Sequence, residues 1–174
     1  YLEGGEPPGK WHGRGAAELG LSGKVSREQL QATLDGYDPR SGAELVRNAG
    51  AETRQSAWDL TFSAPKSVSV LWSQADPETR QAIQRAHGEA VEKALTYLDE
   101  NALFTRRGEG GAIRENGKLV VATFEHGTSR AQDPQLHTHA LVLNLCTRDD
   151  GTTGTIESRE LFQNKMTAGA LYRA

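Results

Sequence analysis

The sequence predicts an α+β domain, a largely antiparallel central sheet with flanking helices. Three observations lead there. Residues 57–63, AWDLTFS, alternate apolar and polar with a period of two. Residues 118–126 and 136–147 are longer apolar-rich runs that also read as strands, separated by a short polar stretch. The intervals between strands carry helix-start chemistry and helical spacing, and the hairpin-length connections favour antiparallel pairing.

Residues 1–20, rich in glycine and proline and carrying Trp11, suggest an extended or looped segment. Ser26 followed by Gln29 is a capping-box pair that starts a short helix ending near Gly36. Residues 38–56 are polar and weakly patterned, with one helical turn expected at 41–47. In the strand at 57–63, Trp58, Leu60 and Phe62 share one side while Asp59 and Thr61 share the other. Pro65 suits the first turn of a short helix through Val68 and Leu71, with Ser63 or Ala64 ahead of it. Asp76-Pro77 opens a longer helix whose expected apolar stripe is Ile83, Ala86, Ala90, Ala94 and Leu98.

Residues 103–107 and 112–115 read as short strands around a glycine-rich turn. Asn116-Gly117 has the chemistry of a hairpin turn leading into the strand at 118–126. Asp149-Asp150-Gly151 turns the strand at 136–147 back toward another near 154–157. Ser158 is the expected cap of a last helix carrying Leu161, Met166 and Leu171.

With 174 residues the chain is long enough for one domain with a real core, 1–174, and too short to suggest a second. It is 36% hydrophobic and 25% charged, as ordinary globular proteins are. No apolar run approaches the roughly 20 residues of a membrane helix, so no membrane association is expected. No secretion signal is visible, and the cytoplasm is the expected location. The single cysteine, Cys146, excludes an intrachain disulfide and a thiolate metal cluster. A net charge of -3 argues against a basic nucleic-acid coat but leaves room for a local channel. The chain opens on Tyr1 and ends at Ala174 in helical sequence, so a piece of a longer multidomain protein is expected.

The most informative stretch is EHGTSRAQDPQLHTHALVLN, residues 125–144. It holds His126, His137 and His139 in a chain that has only five histidines. His137 and His139 lie two apart on a strand, so their side chains leave the same face, with alpha carbons about 6.6 Å apart. If the strand ending at His126 is a neighbour, a third ring reaches the pair. Three neutral imidazoles suit a divalent ion and leave positions open for water or substrate. Asp59 is placed to orient one ring and set its tautomer. Alone, this pattern defines a three-histidine metal site without a reaction; a polar sheet face is the plain alternative.

DLTFSAPKSVS at 59–69 together with FEHGTSRAQDPQLHTHALVLN at 124–144 resembles the conjugative relaxases of the TrwC/TraI type, within the HUH endonuclease class. GRGAAELGLSG at 13–23 is similar to the N-terminal region of that family, so the likeness covers essentially the whole chain. The residue between the paired histidines is Thr138, where the wider class prefers an apolar residue and this branch usually has threonine.

The resemblance implies a relaxase palm and a metal-dependent, site- and strand-specific single-stranded DNA endonuclease that nicks a plasmid transfer origin. A tyrosine hydroxyl attacks the scissile phosphate, leaving a 5′-phosphotyrosyl link and a free 3′-OH in a reversible transesterification. It implies His126, His137 and His139 as metal ligands, with magnesium or manganese in function and zinc or nickel also accepted. It gives Asp59 the role of orienting a histidine and helping to deprotonate the tyrosine. The family nucleophile comes from a tyrosine cluster near the N-terminus, ahead of the tryptophan and glycine-rich segment. Tyr1 falls about where the last of these would lie, as a catalytic or secondary tyrosine. Tyr37, Tyr97 and Tyr172 are poor substitutes.

Lys66 and Arg130 are candidate phosphate contacts, weighed against a solvated helix start and an ordinary loop arginine. Arg106, Arg107, Arg114 and Lys118, interrupted by Glu109 and Glu115, make a weak DNA track. Trp11 and Trp72 are weighed between base stacking and packing; His87 reads as structural. The implied partners are single-stranded or hairpin DNA at the transfer origin, relaxosome accessory proteins, and a C-terminal helicase domain in the same full-length chain. No phosphate-binding glycine loop of that helicase lies in these residues. Two rival readings stay open: a three-histidine metal-dependent hydrolase or oxygenase, and a DNA-binding relaxase-like fragment inactive for lack of its nucleophilic tyrosine.

Overall fold

The computed structural model describes residues 6–174. Its centre is an antiparallel sheet built on the three stretches that alternate in the sequence. Strand β1 is Lys10–His12, β2 Ala57–Ser63, β5 Lys118–Thr128, β6 Pro134–Thr147 and β7 Thr153–Gly154. The spatial order is β1-β5-β6-β2, with β7 also paired to β6. The central pair β5/β6 is the longest, and the loop between them is short, so these strands face one another along most of their length.

Because side chains alternate across the sheet, β6 serves two cores. Ala140, Val142 and Cys146 pack with Leu60, Phe62, Leu119 and Val121 beneath the helices. Leu143 and Leu145 pack with Val120, Ala122, Phe124 and Trp11 on the opposite side. Trp58 joins the first cluster, as the strand periodicity predicts.

The helical layer on the first face consists of α3 (Lys66–Gln74), α4 (Pro77–Asn101), α5 (Ser158–Gln163) and α6 (Lys165–Arg173). The Asp76 carboxylate accepts from the Thr79 amide and starts α4, with Pro77 inside its first turn. The buried face of α4 is His87, Val91, Ala94, Leu95, Leu98 and Asp99. Ala94 and Leu98 of the expected stripe are buried and Ala90 packs against the core, whereas Ala86 is exposed. Two of the buried residues are polar because each has partners. Asp99, for one, accepts from the Arg14 backbone and guanidinium and from the Leu119 amide. α3 begins with Pro65 as its flanking residue and no side-chain cap, so neither Ser63 nor Ala64 caps it.

On the other face, α2 (Arg27–Asp35) carries the expected capping box: Gln29 N–H donates to Ser26 Oγ while the Gln29 side chain accepts from the Ser26 amide. Several sequence expectations are corrected. The segment expected as a loop over 1–20 is not simply one in its described part, 6–20, since β1 and α1 (Arg14–Glu18) form there. Gly13 and Gly15 allow that packing, because a Cβ at either would lie 2.1 and 2.3 Å from the carbonyl oxygens of Leu119 and Lys118. No helical turn forms at 41–47. Asp38 instead accepts from the Arg40 amide and Tyr37 bridges Glu44, giving a compact turn with Gly42 at φ 74°.

Asn116-Gly117 is not a hairpin turn either. Strands β3 (Phe104–Arg107) and β4 (Ile113–Asn116) pair with each other as a separate small sheet. Gly117 is the passage into β5: its amide donates to Leu103 O, and a Cβ there would meet Cys146 Sγ at 2.9 Å. The strand after the 149–151 turn is only β7, earlier and shorter than expected. The last helix is two, broken at Asn164; Ser158 lies inside α5 rather than capping it, and Met166 is 76% exposed. No helix among the described residues is long and apolar enough to cross a membrane.

Candidate metal centre

β5 and β6 are neighbours, and their register sets His126 directly opposite His137. β2 lies on the other side of β6, with Thr61 opposite His139 and Ser63 opposite His137. The three imidazoles come together on the face that carries Asp59, at the end of the sheet beyond the Trp11 core. Their ring centres are 5.3 Å (His126–His137), 5.3 Å (His126–His139) and 5.1 Å (His137–His139) apart.

That triangle can be compared with a metal site. With a nitrogen–metal bond of about 2.1 Å, ring centres lie about 3.2 Å from the ion, and tetrahedral angles then separate them by about 5.2 Å. The observed ring spacings are of that size. Among the described residues no group of three or more His, Cys, Asp and Glu side chains is drawn together as an ion would need.

The outer ring nitrogens support the same reading. His137 Nδ1 is 2.8 Å from the Gln135 carbonyl oxygen, which can only accept, so the proton sits on Nδ1. His139 Nδ1 is 3.1 and 3.0 Å from the two Asp59 carboxylate oxygens and 3.3 Å from Thr61 Oγ1. His126 Nδ1 faces Glu6 Oε1 at 3.8 Å. In the first two rings the lone pair thereby falls on Nε2, the usual outcome when a carbonyl or carboxylate holds the other nitrogen. Burial lowers the pKa of His126, against a raising effect of Glu6, and the two neighbouring imidazoles lower it further. The neutral ring, which is the form that binds metal, is favoured.

The other candidates fall as follows. Lys66 is the first residue of α3, and its ammonium donates to Pro134 O at 3.3 Å, where β6 starts. Arg130 is exposed in the loop between β5 and β6. Both lie toward the histidine end of the sheet. Tyr1 lies outside the described residues. Trp11 and Trp72 are 5% and 9% exposed, so both pack inward. Arg106 and Arg114 pair with Glu157, Arg107 with Glu115 and Asp150, and Lys118 with Glu18, so this basic run is neutralised in place.

Sequence reasoning missed Glu6 and the Gln135 carbonyl as outer partners, which no residue pattern announces. It also passed over Gly127, beside His126. A Cβ there would lie 2.5 Å from the Trp72 ring, so α3 is pressed against the strand at that point. A glycine following a candidate ligand was the available signal.

An antiparallel sheet with a histidine pair on one strand, a third histidine opposite on the next and a carboxylate beside them agrees with the HUH endonuclease class that the sequence resembles. Residues 1–174 match the family described as TrwC relaxase, and the chain belongs to that family. It is 38% identical over 179 residues to the multifunctional conjugation protein TraI of Escherichia coli strain K12, covering 94% of this chain and 10% of that protein. A second Escherichia coli protein of the same description is 36% identical over 179 residues, covering 95% and 10%. The chain thus spans about a tenth of the curated relatives it matches. Among solved structures, the conjugative relaxase TrwC in complex with oriT DNA, in a metal-bound form, aligns with a TM-score of 0.80 at 38% identity, over 95% of this chain and 57% of that one. TrwC with a 27-mer DNA comprising the recognition hairpin and cleavage site aligns with a TM-score of 0.79 at 38% identity, over 94% and 58%.

Proposed function

We propose that this chain is the palm of a relaxase, a site- and strand-specific single-stranded DNA transesterase acting at a transfer origin. The observation that carries the reading is the triangle of imidazoles with Asp59 behind His139. Its relatives include relaxases bound to such DNA and to metal.

In this reading His126, His137 and His139 hold a divalent ion, magnesium or manganese in function. When bound, the ion supplies Lewis acidity toward the scissile phosphate oxygens. Asp59 keeps the proton of His139 on Nδ1 and so presents Nε2 outward. Tyr1 is the candidate nucleophile: its oxygen bonds to phosphorus as the bond to the 3′ oxygen breaks. The phenolic proton leaves with the help of Asp59, and the 3′ oxygen takes up a proton as it departs as a hydroxyl. Lys66 and Arg130 border the approach and take phosphate contacts. The wider partners follow the family: hairpin DNA, relaxosome accessory proteins, and a helicase domain in the same full-length chain.

The test uses the full-length protein with 3′-labelled oligonucleotides tiling the transfer origin of the element that encodes it. A metal-dependent, label-bearing protein adduct at one position is expected, falling at least about a hundredfold in His137→Ala. Tyr1→Phe tells whether that tyrosine carries the adduct. Cleavage that releases free 5′-phosphate without an adduct would replace this reading with a metal-dependent hydrolase.

A further inference from the structure

Behind the paired histidines, on the other face of β6, lies a second set of contacts that metal ligation does not explain. Thr138 stands between His137 and His139, so its side chain passes to the helical layer. It is 4% exposed there, and its Oγ1 is 2.7 Å from Nε2 of His87 on α4. The other ring nitrogen, Nδ1, is 2.7 Å from the hydroxyl of Tyr172 on α6. The Tyr172 ring meets the His87 ring edge-on at 5.5 Å and also packs at 5.5 Å from Phe62 on β2. Three elements thus contribute one buried hydrogen-bond chain, and it ends on the strand residue between two imidazoles.

A neutral imidazole has one donor and one acceptor nitrogen, and a hydroxyl can serve as either. The chain can therefore run from Tyr172 O–H through His87 to Thr138, or from Thr138 O–H through His87 to Tyr172. Both directions use both His87 nitrogens. Burial pushes the His87 pKa down to about 4, with His137 adding to the effect, and pushes the Tyr172 phenol up to about 12. Neither residue ionises near neutral pH. A leucine or phenylalanine would fill the same space without needing two hydrogen bonds. What the polar chain adds is a set distance and direction from α4 and α6 to one residue of β6.

We propose that the Tyr172–His87–Thr138 chain is a positioning device for the metal ligands, pinning β6 from behind so that His137 and His139 leave the opposite face with their rings held for one ion. The inference rests on the metal-centre reading. It goes beyond it by giving His87, Tyr172 and Thr138 a share in ion affinity although none of them touches the ion.

The experiment is Mn²⁺ calorimetry on metal-stripped protein, with the visible absorption of the Co²⁺ form and melting temperatures recorded in parallel. Wild type, Thr138→Val, Thr138→Ser and Tyr172→Phe are compared. The wild type binds one ion. Thr138→Val weakens Mn²⁺ binding about tenfold or more and shifts the Co²⁺ bands. Thr138→Ser restores both, and Tyr172→Phe gives a smaller change in the same direction. Equal affinity and identical Co²⁺ spectra in wild type, Thr138→Val and Tyr172→Phe would overturn the positioning role while leaving the metal centre intact. A lowered melting temperature with those two readouts unmoved overturns it as well. A wild type that binds no Mn²⁺ overturns the metal-centre reading itself. Should Thr138→Val fail to fold, Tyr172→Phe against wild type decides the question.

Discussion

At the scale of single residues, the neighbourhood of the imidazoles sets their chemistry. Asp59 holds His139 Nδ1 with both carboxylate oxygens, which fixes the tautomer with the lone pair on Nε2. Asp59→Ala is expected to lower Mn²⁺ affinity about tenfold to a hundredfold while leaving the circular dichroism spectrum unchanged. Unaltered affinity would show that the carboxylate serves something other than the ion. His87 offers a second prediction, this one on stability. Its folded pKa is depressed by burial from 6.5 to about 4, so between those values the unfolded chain binds a proton that the folded one does not. Stability therefore rises with pH across that window, is complete above about 6.5, and is lost as pH falls toward 4. Between pH 7 and 5 the contribution is about 2 kcal/mol, at about 1.4 kcal/mol per unit. Urea denaturation at the two pH values, repeated on His87→Gln, should show a shallower dependence in the variant. A slope that the substitution leaves unchanged would rule His87 out as its source.

At the scale of elements, what could be read depended on whether a signal was local. The strands β2, β5 and β6 were legible because their periodicity shows in a single stretch, and His137 and His139 share a face by strand geometry alone. The pairing of His126 with His137 was not legible, since it depends on how tightly residues 129–133 turn. Within that loop the Ser129 amide donates to Asp133 O and Gln132 adopts φ 66°. The face of α4 was legible at Ala90, Ala94 and Leu98 but not at His87 and Asp99, because buried polar residues look exposed until their partners on other elements are known. The same non-local packing joins α3 to β5 at Gly127. Trp72 fills the space a side chain would need, and Arg80 covers its ring at 4.9 Å. Gly127→Ala is expected to destabilise the fold by about 1–3 kcal/mol through overpacking. Trp72→Leu, which frees that space, should recover part of the loss in Gly127→Ala. Simple addition of the two costs in denaturant titrations would count against the contact.

At the scale of the whole molecule, the candidate centre sits on the two strands that hold both cores together. β5 and β6 pair along most of their length and contribute Leu119, Val121, Ala140 and Val142 to one cluster, and Val120, Ala122, Leu143 and Leu145 to the other. An ion held by His126 and His137 as proposed would tie the strands at the end where their ladder is irregular, between His126 and Thr128. Since the proposed ligands come together only in the folded register, binding there would favour the folded state by mass action. At a free Mn²⁺ concentration a hundred times the dissociation constant, the gain is about 2.7 kcal/mol. For a domain of this size that raises the melting temperature by about 5–10 °C. Titrating Mn²⁺ during thermal unfolding should show the midpoint climbing with metal in the wild type and staying level in His137→Ala. Equal shifts in both proteins would mean that the ion binds elsewhere. Because β5 and β6 belong to both cores, the stabilisation should appear as one cooperative transition rather than as local protection of the β5–β6 loop. Hydrogen exchange can separate these outcomes: added protection must extend to Val120 and Val142 as well as to the residues beside the histidines.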